Sequence, residues 1–276
     1  MPRKFVISPT KLRMYYQCPM KYRLEYIEKQ GRFYHRINAG NAFGHSLHRA
    51  LDVFHNAGGA ANVSAEELAA SLDSVWVGGV GKGFAAAEQE AAFREEGMRI
   101  LTEYHAARVT QTAPVTPVEG EEEVILPPPP HLLFTEKTLR IDLTPDVALS
   151  GRVDRVDEHH DGALEIVDYK SGRETVEEED VSRSLALNIY QTLLKAKMPD
   201  RRVFATLVAL RTGAQASHEQ TEDARTELLA ECTETGETLR NKDWEGILPV
   251  LNEHCPYCDF LPHCTRWWKK NTVHDL

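Results

Sequence analysis

The chain has 276 residues, 42% of them hydrophobic, and a formal net charge of −10 from 32 basic and 42 acidic side chains. That composition can fill a sizeable core and excludes a disordered chain, and no apolar run approaches the roughly 20 residues a bilayer-spanning helix needs. The first residues lack an apolar signal core, and five cysteines are too few and too uneven for a secreted disulfide framework. A cytoplasmic protein off the membrane, with a cysteine-ligated site, is therefore expected.

The net charge hides an asymmetry. Residues 1–36 hold nine Lys or Arg against Glu25 and Glu28, a local net of +7, which leaves −17 on the rest of the chain. The same stretch carries Phe5, Tyr15, Tyr16, Tyr22, Tyr26, Phe33 and Tyr34. Basic charge interleaved with aromatics suits a nucleic-acid backbone with stacked bases, and Lys11, Arg13, Lys21 and Arg23 are the candidate DNA contacts. A solvated helix face over a tyrosine-rich core accounts for the composition equally well.

In chain order, Ser8-Pro9 caps and opens a helix that must stop before Cys18-Pro19, because proline disfavours helical geometry at the residue before it. Pro19 then opens a second helix to about Glu28. Asn41 to His55 is an amphipathic helix with Phe43, Leu47, Leu51 and Phe54 near one stripe. A loop from Asn56 to Asn62 precedes helices over 65–77 and 84–109. The Gly-rich stretch between them, Val77 to Gly83, is no phosphate loop, because its spacing is wrong and no Gly-Lys-Ser/Thr is present. Glu121 to Leu126 is a short strand candidate, and Pro127 to Pro130 a stiff break. Strands are expected over Leu132–Leu143, Val147–Glu158 and Ala163–Tyr169, then a helix over Ser184–Lys197, a buried strand over Arg202–Leu210 and a long helix over Glu222–Arg240. Glu177 to Asp180 reads as a solvated acidic loop. The fold class is α/β, a mixed sheet with helices packed on it.

Chemistry concentrates in Gly151-Arg-Val-Asp154-Arg and Ile166-Val-Asp168-Tyr-Lys170-Ser-Gly172. Strand alternation puts Ile166, Asp168 and Lys170 on one face. A carboxylate that binds a hard cation, beside an ammonium that orients a water, suits metal-assisted hydrolysis. A four-residue turn would set Asp154 and Asp168 on opposite faces. A three-residue turn, His160-Asp161-Gly162, pairs them on one face and needs glycine in the left-handed position, where Gly162 stands. An ordinary exposed Asp-Lys pair is the bland alternative. His48 lies on the stripe of Gly44, Leu47 and Leu51, and a histidine added to two carboxylates shifts the site toward manganese-type ligation.

Cys255, Cys258 and Cys264 form C-x2-C-x5-C, a spacing that points to a metal or cluster site. Cys18 and Cys232 are candidates for a fourth cysteine ligand, and His254 or His263 could complete a zinc site instead. Zinc is the default by frequency, and a cubane iron–sulfur cluster is the sharper alternative.

Together these residues resemble the RecB-type branch of the PD-(D/E)XK nuclease superfamily, which includes AddB-type subunits of helicase–nuclease complexes and exonucleases associated with CRISPR adaptation. The resemblance rests on Ser8-Pro-Thr-Lys-Leu with Tyr16-Gln-Cys18-Pro19-Met-Lys-Tyr22, on Gly44-x-x-x-His48, on the two acidic motifs and on the cysteine triplet. It implies a restriction-endonuclease-like mixed central sheet flanked by helices, with a helical insertion and an iron–sulfur module joining both termini. The expected division of a single domain over 1–276 is a basic segment (1–36), a helical insertion (58–112), a catalytic core (118–241) and a C-terminal cysteine segment (254–276). By resemblance, His48, Asp154, Asp168 and the Tyr169 carbonyl would ligate Mn²⁺ or Mg²⁺, Lys170 would be the catalytic lysine, and Cys18, Cys255, Cys258 and Cys264 would hold a 4Fe–4S cluster. Tyr190 fits the next motif, but Ala186 stands where the family usually has Gln, so Gln191 is expected to substitute. The implied activity is metal-dependent hydrolysis of DNA, as an exonuclease on single-stranded or end-bearing DNA in recombination, repair or CRISPR-type processing. A non-catalytic DNA-binding module, and a subunit active only with a separate helicase, are the alternatives.

Overall fold

Capping residues and prolines set the first elements of the computed structural model, which describes residues 4–35, 38–112 and 128–271. The strand expected at Glu121–Leu126 lies outside the described residues. After β1 (Phe5–Ile7), Ser8 caps α1 (Pro9–Gln17), its side chain accepting the Lys11 N–H at 3.4 Å. Cys18 is extended and serves as N-cap of α2 (Pro19–Tyr22), with its Sγ accepting the Lys21 N–H at 3.4 Å. Beyond Tyr22 the expected helix continues as a π-helical turn, Arg23–Ile27, closed by the Glu28 N–H on the Arg23 carbonyl at 3.0 Å. α3 (Gly31–Tyr34) follows.

By internal contacts the chain forms two compact units. The first comprises residues 1–36, 140–150 and 227–276. In it β1 runs parallel to the start of β3 (Val147–Glu158), with Phe5 beside Val147 and Ile7 beside Leu149. Most of α9 (Glu222–Asn241) belongs here, and Gly236 lets it lie close on Val147. The Tyr22 ring stacks on Trp244 with centroids 5.1 Å apart. α10 (Leu261–Asn271) completes this unit, an element that the sequence reading leaves out.

The second unit comprises residues 37–139 and 151–226. α4 (Ala39–Asn56), capped by Asn38, packs with α5 (Ala65–Val75) and α6 (Ala87–Thr112) through Phe43, Leu47, Leu51, Leu68, Leu72 and Ile100. That cluster covers the sheet face carrying Val167, Tyr169, Val208 and Leu210. β2 (His131–Asp142) pairs with β3, β4 (Leu164–Lys170) is antiparallel to β3 and parallel to β5 (Val203–Ala209), and β6 (Gln215–His218) is antiparallel to β5. The parallel β4–β5 step is made through α7 (Glu178–Ser182) and α8 (Leu185–Lys197). The mixed sheet flanked by helices agrees with the expectation. β6 is an addition, and the expected acidic loop is a helix start. Glu177 and Asp180 form a capping box there, because carboxylates suit the positive end of a helix. No helix among the described residues is long and apolar enough to cross a membrane.

The turn from β3 to β4 is the three-residue form. The His159 N–H meets the Ala163 carbonyl at 2.8 Å, and Gly162 sits at φ +84°. Pairing runs from Glu158 beside Leu164 to Arg155 beside Val167, so the next step of the register sets Asp154 against Asp168. On β3, Gly151 admits the ring of Tyr190 from α8, and a Cβ there would lie 2.8 Å from Tyr190 Cε1. An aromatic ring cannot yield as a flexible side-chain tip can. Gly151→Ala is therefore expected to destabilise the protein by about 1–3 kcal/mol through overpacking, read as a lower midpoint in urea unfolding; an unchanged midpoint would show that α8 does not press on β3 as described.

Candidate metal centre

The apolar stripe of α4 sets the helix on β4 and leaves His48 at its margin, half-buried. Its Nε2 lies 3.0 Å from the Tyr169 carbonyl and its Nδ1 3.3 Å from Asp154 Oδ2. The same Asp154 oxygen accepts the Tyr169 N–H at 3.1 Å. Strand pairing thus gives way to side chain–backbone contacts where the two acidic motifs meet. Lys170 Nζ forms an ion pair with Asp168 Oδ2.

A third carboxylate joins them. Glu136 on β2 lies with His48 and Asp154 so that one ligand atom from each falls within 4.8 Å of the others. Its backbone is left-handed at φ 46°, an uncommon conformation for a residue with a side chain. Arg152 Nε stands 3.1 Å from its Oε2.

Crowded acids and burial pull the local acidities apart. Burial and the charge of Asp154 raise the pKa of Asp168 above the ordinary aspartate value, with Lys170 opposing. Burial and Asp154 raise Glu136 likewise. Burial pushes Asp154 up as well, but the hydrogen bond and charge of His48, then the Tyr169 N–H and Lys170, carry it below its usual range. For His48, burial disfavours the charged ring, and Asp154, Asp168 and Glu136 together overcome it and raise its pKa. One imidazole nitrogen and several carboxylate oxygens, partly deprived of water and mutually repelling, are the donor set of a hard to borderline divalent cation.

Of the residues singled out from sequence, His48, Asp154, Asp168, Tyr169 and Lys170 come together where the middle of β3 meets the C-terminal end of β4. Tyr190 packs on Gly151. Gln191 is 1% exposed and its Oε1 accepts the Gln220 N–H at 2.9 Å, so its amide oxygen is used inside the core. Glu136 escapes the sequence reading, since no spacing or periodicity marks a lone acid in a strand. Its proximity to the site comes from the β2–β3 pairing and its own backbone turn.

In the other unit, Cys18, Cys255, Cys258 and Cys264 all line one apolar cavity with Met20, Leu24 and Phe260. Burial raises the Cys264 thiol to about 11, with Cys18, Cys258 and Cys255 adding to the shift by their charges. Cys232 lies apart in α9, 1% exposed, its thiol raised to about 12 by burial and then by Glu231. Of the four candidate DNA contacts, two have structural partners. Lys11 Nζ donates to the Val6 carbonyl at 2.5 Å and lies over the Tyr26 ring. Arg23 pairs with Glu28 at 2.6 Å and donates to the Glu245 and Ile247 carbonyls, each at 3.2 Å. Arg13 is exposed and Lys21 half-buried.

A family model for the PD-(D/E)XK nuclease superfamily matches residues 6–265. The chain belongs to the PD-(D/E)XK nuclease superfamily. Its members are phosphodiester-hydrolysing nucleases that use divalent metals. No curated protein sequence matches this chain. A solved structure described as the crystal structure of SSO0001 is similar over 96% of this chain and 88% of that one, at 12% identity and a TM-score of 0.40.

Glu136→Gln is expected to leave the metal-free protein as stable as before or slightly more so, because it removes one of several repelling charges. It should also shrink the rise in melting temperature that Mn²⁺ produces, since binding to the native state alone is what raises stability. A full Mn²⁺ shift in the variant would remove Glu136 from the ligand set.

Proposed function

We propose that the chain is a Mn²⁺- or Mg²⁺-dependent deoxyribonuclease, an exonuclease on single-stranded or end-bearing DNA that works in recombination, repair or CRISPR-type processing. The observation that carries this reading is the trio His48, Glu136 and Asp154 beside the Asp168–Lys170 ion pair. His48, Asp154, Asp168 and the Tyr169 carbonyl are the ligands we assign, with Glu136 added. Bound there, the ion would supply Lewis acidity toward the scissile phosphate and a lower pKa for water.

The remaining roles belong to side chains. Lys170, held by Asp168, offers an ammonium that orients the attacking water or balances charge developing on the phosphate. Asp154 fixes His48 on one side and the Tyr169 N–H on the other, so one carboxylate aligns two further groups. Tyr190 supports β3 through Gly151, while Gln191 acts within the core.

The cysteines favour the 4Fe–4S cluster over zinc. Four thiolates on one zinc ion, each about 2.3 Å from it, stand only about 3.8 Å apart. Among the described residues the carboxylate–histidine trio is the group of three such donors gathered within 4.8 Å, and no three of these sulfurs are that close. We therefore read the group as a cluster site rather than a single-zinc site. We assign this group a structural task, joining the basic N-terminal segment to the C-terminal segment, with Cys18 rather than Cys232 as its fourth ligand.

Incubating anaerobically purified protein with end-labelled single- and double-stranded DNA is expected to give Mn²⁺-dependent cleavage whose product ladder reports polarity. Lys170→Ala should lower it about 100-fold or more. Cleavage that appears only when a helicase chain is added would favour the helicase-dependent subunit, and binding without cleavage would favour the non-catalytic module. The protein should be brown. Cys18→Ala should lose that colour and Cys232→Ala keep it, whereas stoichiometric zinc in colourless protein would overturn the cluster.

DNA binding is tested with Arg13 and Lys21, because Lys11 and Arg23 also hold the fold. Reversing Arg13 and Lys21 to Glu is expected to weaken single-strand binding and flatten its dependence on salt by a slope of at least about 1, given about 0.7 per neutralised phosphate. Unchanged affinity and slope would leave this segment a solvated face.

A further inference from the structure

Tyr169 is held at both ends. Its main chain belongs to the metal centre, with the N–H on Asp154 Oδ2 at 3.1 Å and the carbonyl facing His48 Nε2 at 3.0 Å. Its ring, in a residue only 3% exposed, runs into a buried polar knot. There the phenol oxygen lies 2.7 Å from Arg155 Nη1, 3.0 Å from the Tyr104 hydroxyl and 3.2 Å from His55 Nε2. Arg155 Nη1 also reaches the Tyr104 oxygen and His55 Nε2, each at 2.8 Å. His48 and His55 are seven residues apart on α4, about 10.5 Å of helix rise. One helix therefore grips one tyrosine at its carbonyl and at its hydroxyl.

Proton counting shows how tightly the knot is specified. Arg155 Nη1 has two protons and three acceptors around it. His55 Nε2 has one lone pair and must stay unprotonated to accept. Burial, then the charge of Arg155, lowers the His55 pKa to about 2, so the ring is neutral with its proton on Nδ1. Arg155 is 2% exposed, and its other amino group meets Asp157 Oδ2 at 2.7 Å. In so dry a place every lost partner strands a polar group, and the cluster resists displacement.

The knot's position gives it a task. Arg155 follows Asp154 directly in β3, so its side chain leaves by the opposite face. Tyr169 stands between Asp168 and Lys170. A buried cation contributes little to stability over an apolar residue of similar size, yet here one follows Asp154 directly and bonds the phenol of Tyr169, the residue between Asp168 and Lys170.

We propose that Arg155 is a positioning residue for the metal centre. By holding the Tyr169 phenol against α4 it fixes the rotation of the peptide groups on either side of Tyr169, and with it the aim of the carbonyl and N–H that face His48 and Asp154. The inference rests on the metal reading above.

The test uses the full chain with Mn²⁺ alone, its affinity read from the electron paramagnetic resonance signal of the free ion. Tyr169→Phe and Arg155→Lys disturb the knot from the strands that carry the ligands. Tyr104→Phe removes a hydroxyl from the same knot but from α6, which carries none of the assigned ligands. We expect the first two to raise the Mn²⁺ dissociation constant about tenfold, as loss of a partner behind a ligand does. Tyr104→Phe should lose comparable melting temperature while binding Mn²⁺ like the wild type. The double variant Arg155→Lys/Tyr169→Phe should bind no worse than Arg155→Lys, because both act through one contact. In the metal-free protein the Tyr169 amide should exchange faster in Tyr169→Phe than in Tyr104→Phe. Equal exchange, with all three variants binding Mn²⁺ like the wild type while Asp154→Asn does not, would make the knot merely structural and overturn the proposal. Wild-type protein that binds no Mn²⁺ would instead bring down the metal reading, and this inference with it.

Discussion

Like charges held close together are the constraint around which the second unit is organised. Burial raises the cost of ionising Glu136, Asp154 and Asp168, and the charge of Asp154 adds to it for the other two. Left alone, such a group would spread into water or take up protons. The fold denies it the first route by fixing the acids in place from separate elements. A left-handed residue in β2 supplies Glu136, a glycine turn sets Asp154 against Asp168, and His48 arrives from α4. His48 and Lys170 relieve part of the repulsion. What is left favours a divalent cation over a monovalent one, since the attraction grows with the charge on the ion.

The same constraint explains why so much rigid structure stands behind so few ligands. Two of the assigned ligands are aligned by contacts through Tyr169, and its ring is fixed by three partners at its hydroxyl, Arg155, Tyr104 and His55. Gly151 brings α8 against β3 within van der Waals distance of the strand that carries Asp154. Ordering these groups before the ion arrives moves their entropy cost into folding, where the hydrophobic cluster of α4, α5 and α6 offsets it.

How much of this could be read from the chain depends on how local each cause is. Ser8, Pro9 and Pro19 act on their immediate neighbours, so the first helices and the break at Cys18 were legible. The β3–β4 turn was decided by one glycine, and the pairing of Asp154 with Asp168 followed. Glu136 was not legible, because its approach depends on a backbone angle and on pairing between strands. Gln191 shows the opposite failure. Adjacent helix residues point about 100° apart, so a side chain one position beyond Tyr190 does not replace one four positions before it but turns toward Gln220 instead. The two units themselves have no local signature. Residues 140–150, in the middle of the chain, group with both ends through long-range contacts such as Phe5 with Val147 and Gly236 with Val147.

The basic segment illustrates why counting charges is a poor guide to where phosphate would bind. Residues 1–36 carry +7 in total, but Lys4 pairs with Asp142 at 2.7 Å, Lys11 is folded onto Val6 and Tyr26, and Arg23 clasps Glu28 and the carbonyls of the C-terminal segment. His35, between Glu25 at 2.7 Å and Asp259 at 3.1 Å, adds a positive charge only to cancel acids beside it. Among the described residues of this segment Arg13, Lys29 and Arg32 are exposed and Lys21 is half-buried, with Arg32 resting on the exposed ring of Phe33. A phosphate responds to charges within about 8 Å at physiological salt, so it meets this smaller set rather than the sum. The consumed charges have a different effect. Arg23 and His35, together with Asn252 on the Gln17 carbonyl and Arg266 on the Tyr34 hydroxyl, tie the first helices to the chain beyond α9 independently of the cysteines. The four thiols therefore line a pocket whose two chain segments are already joined by other contacts.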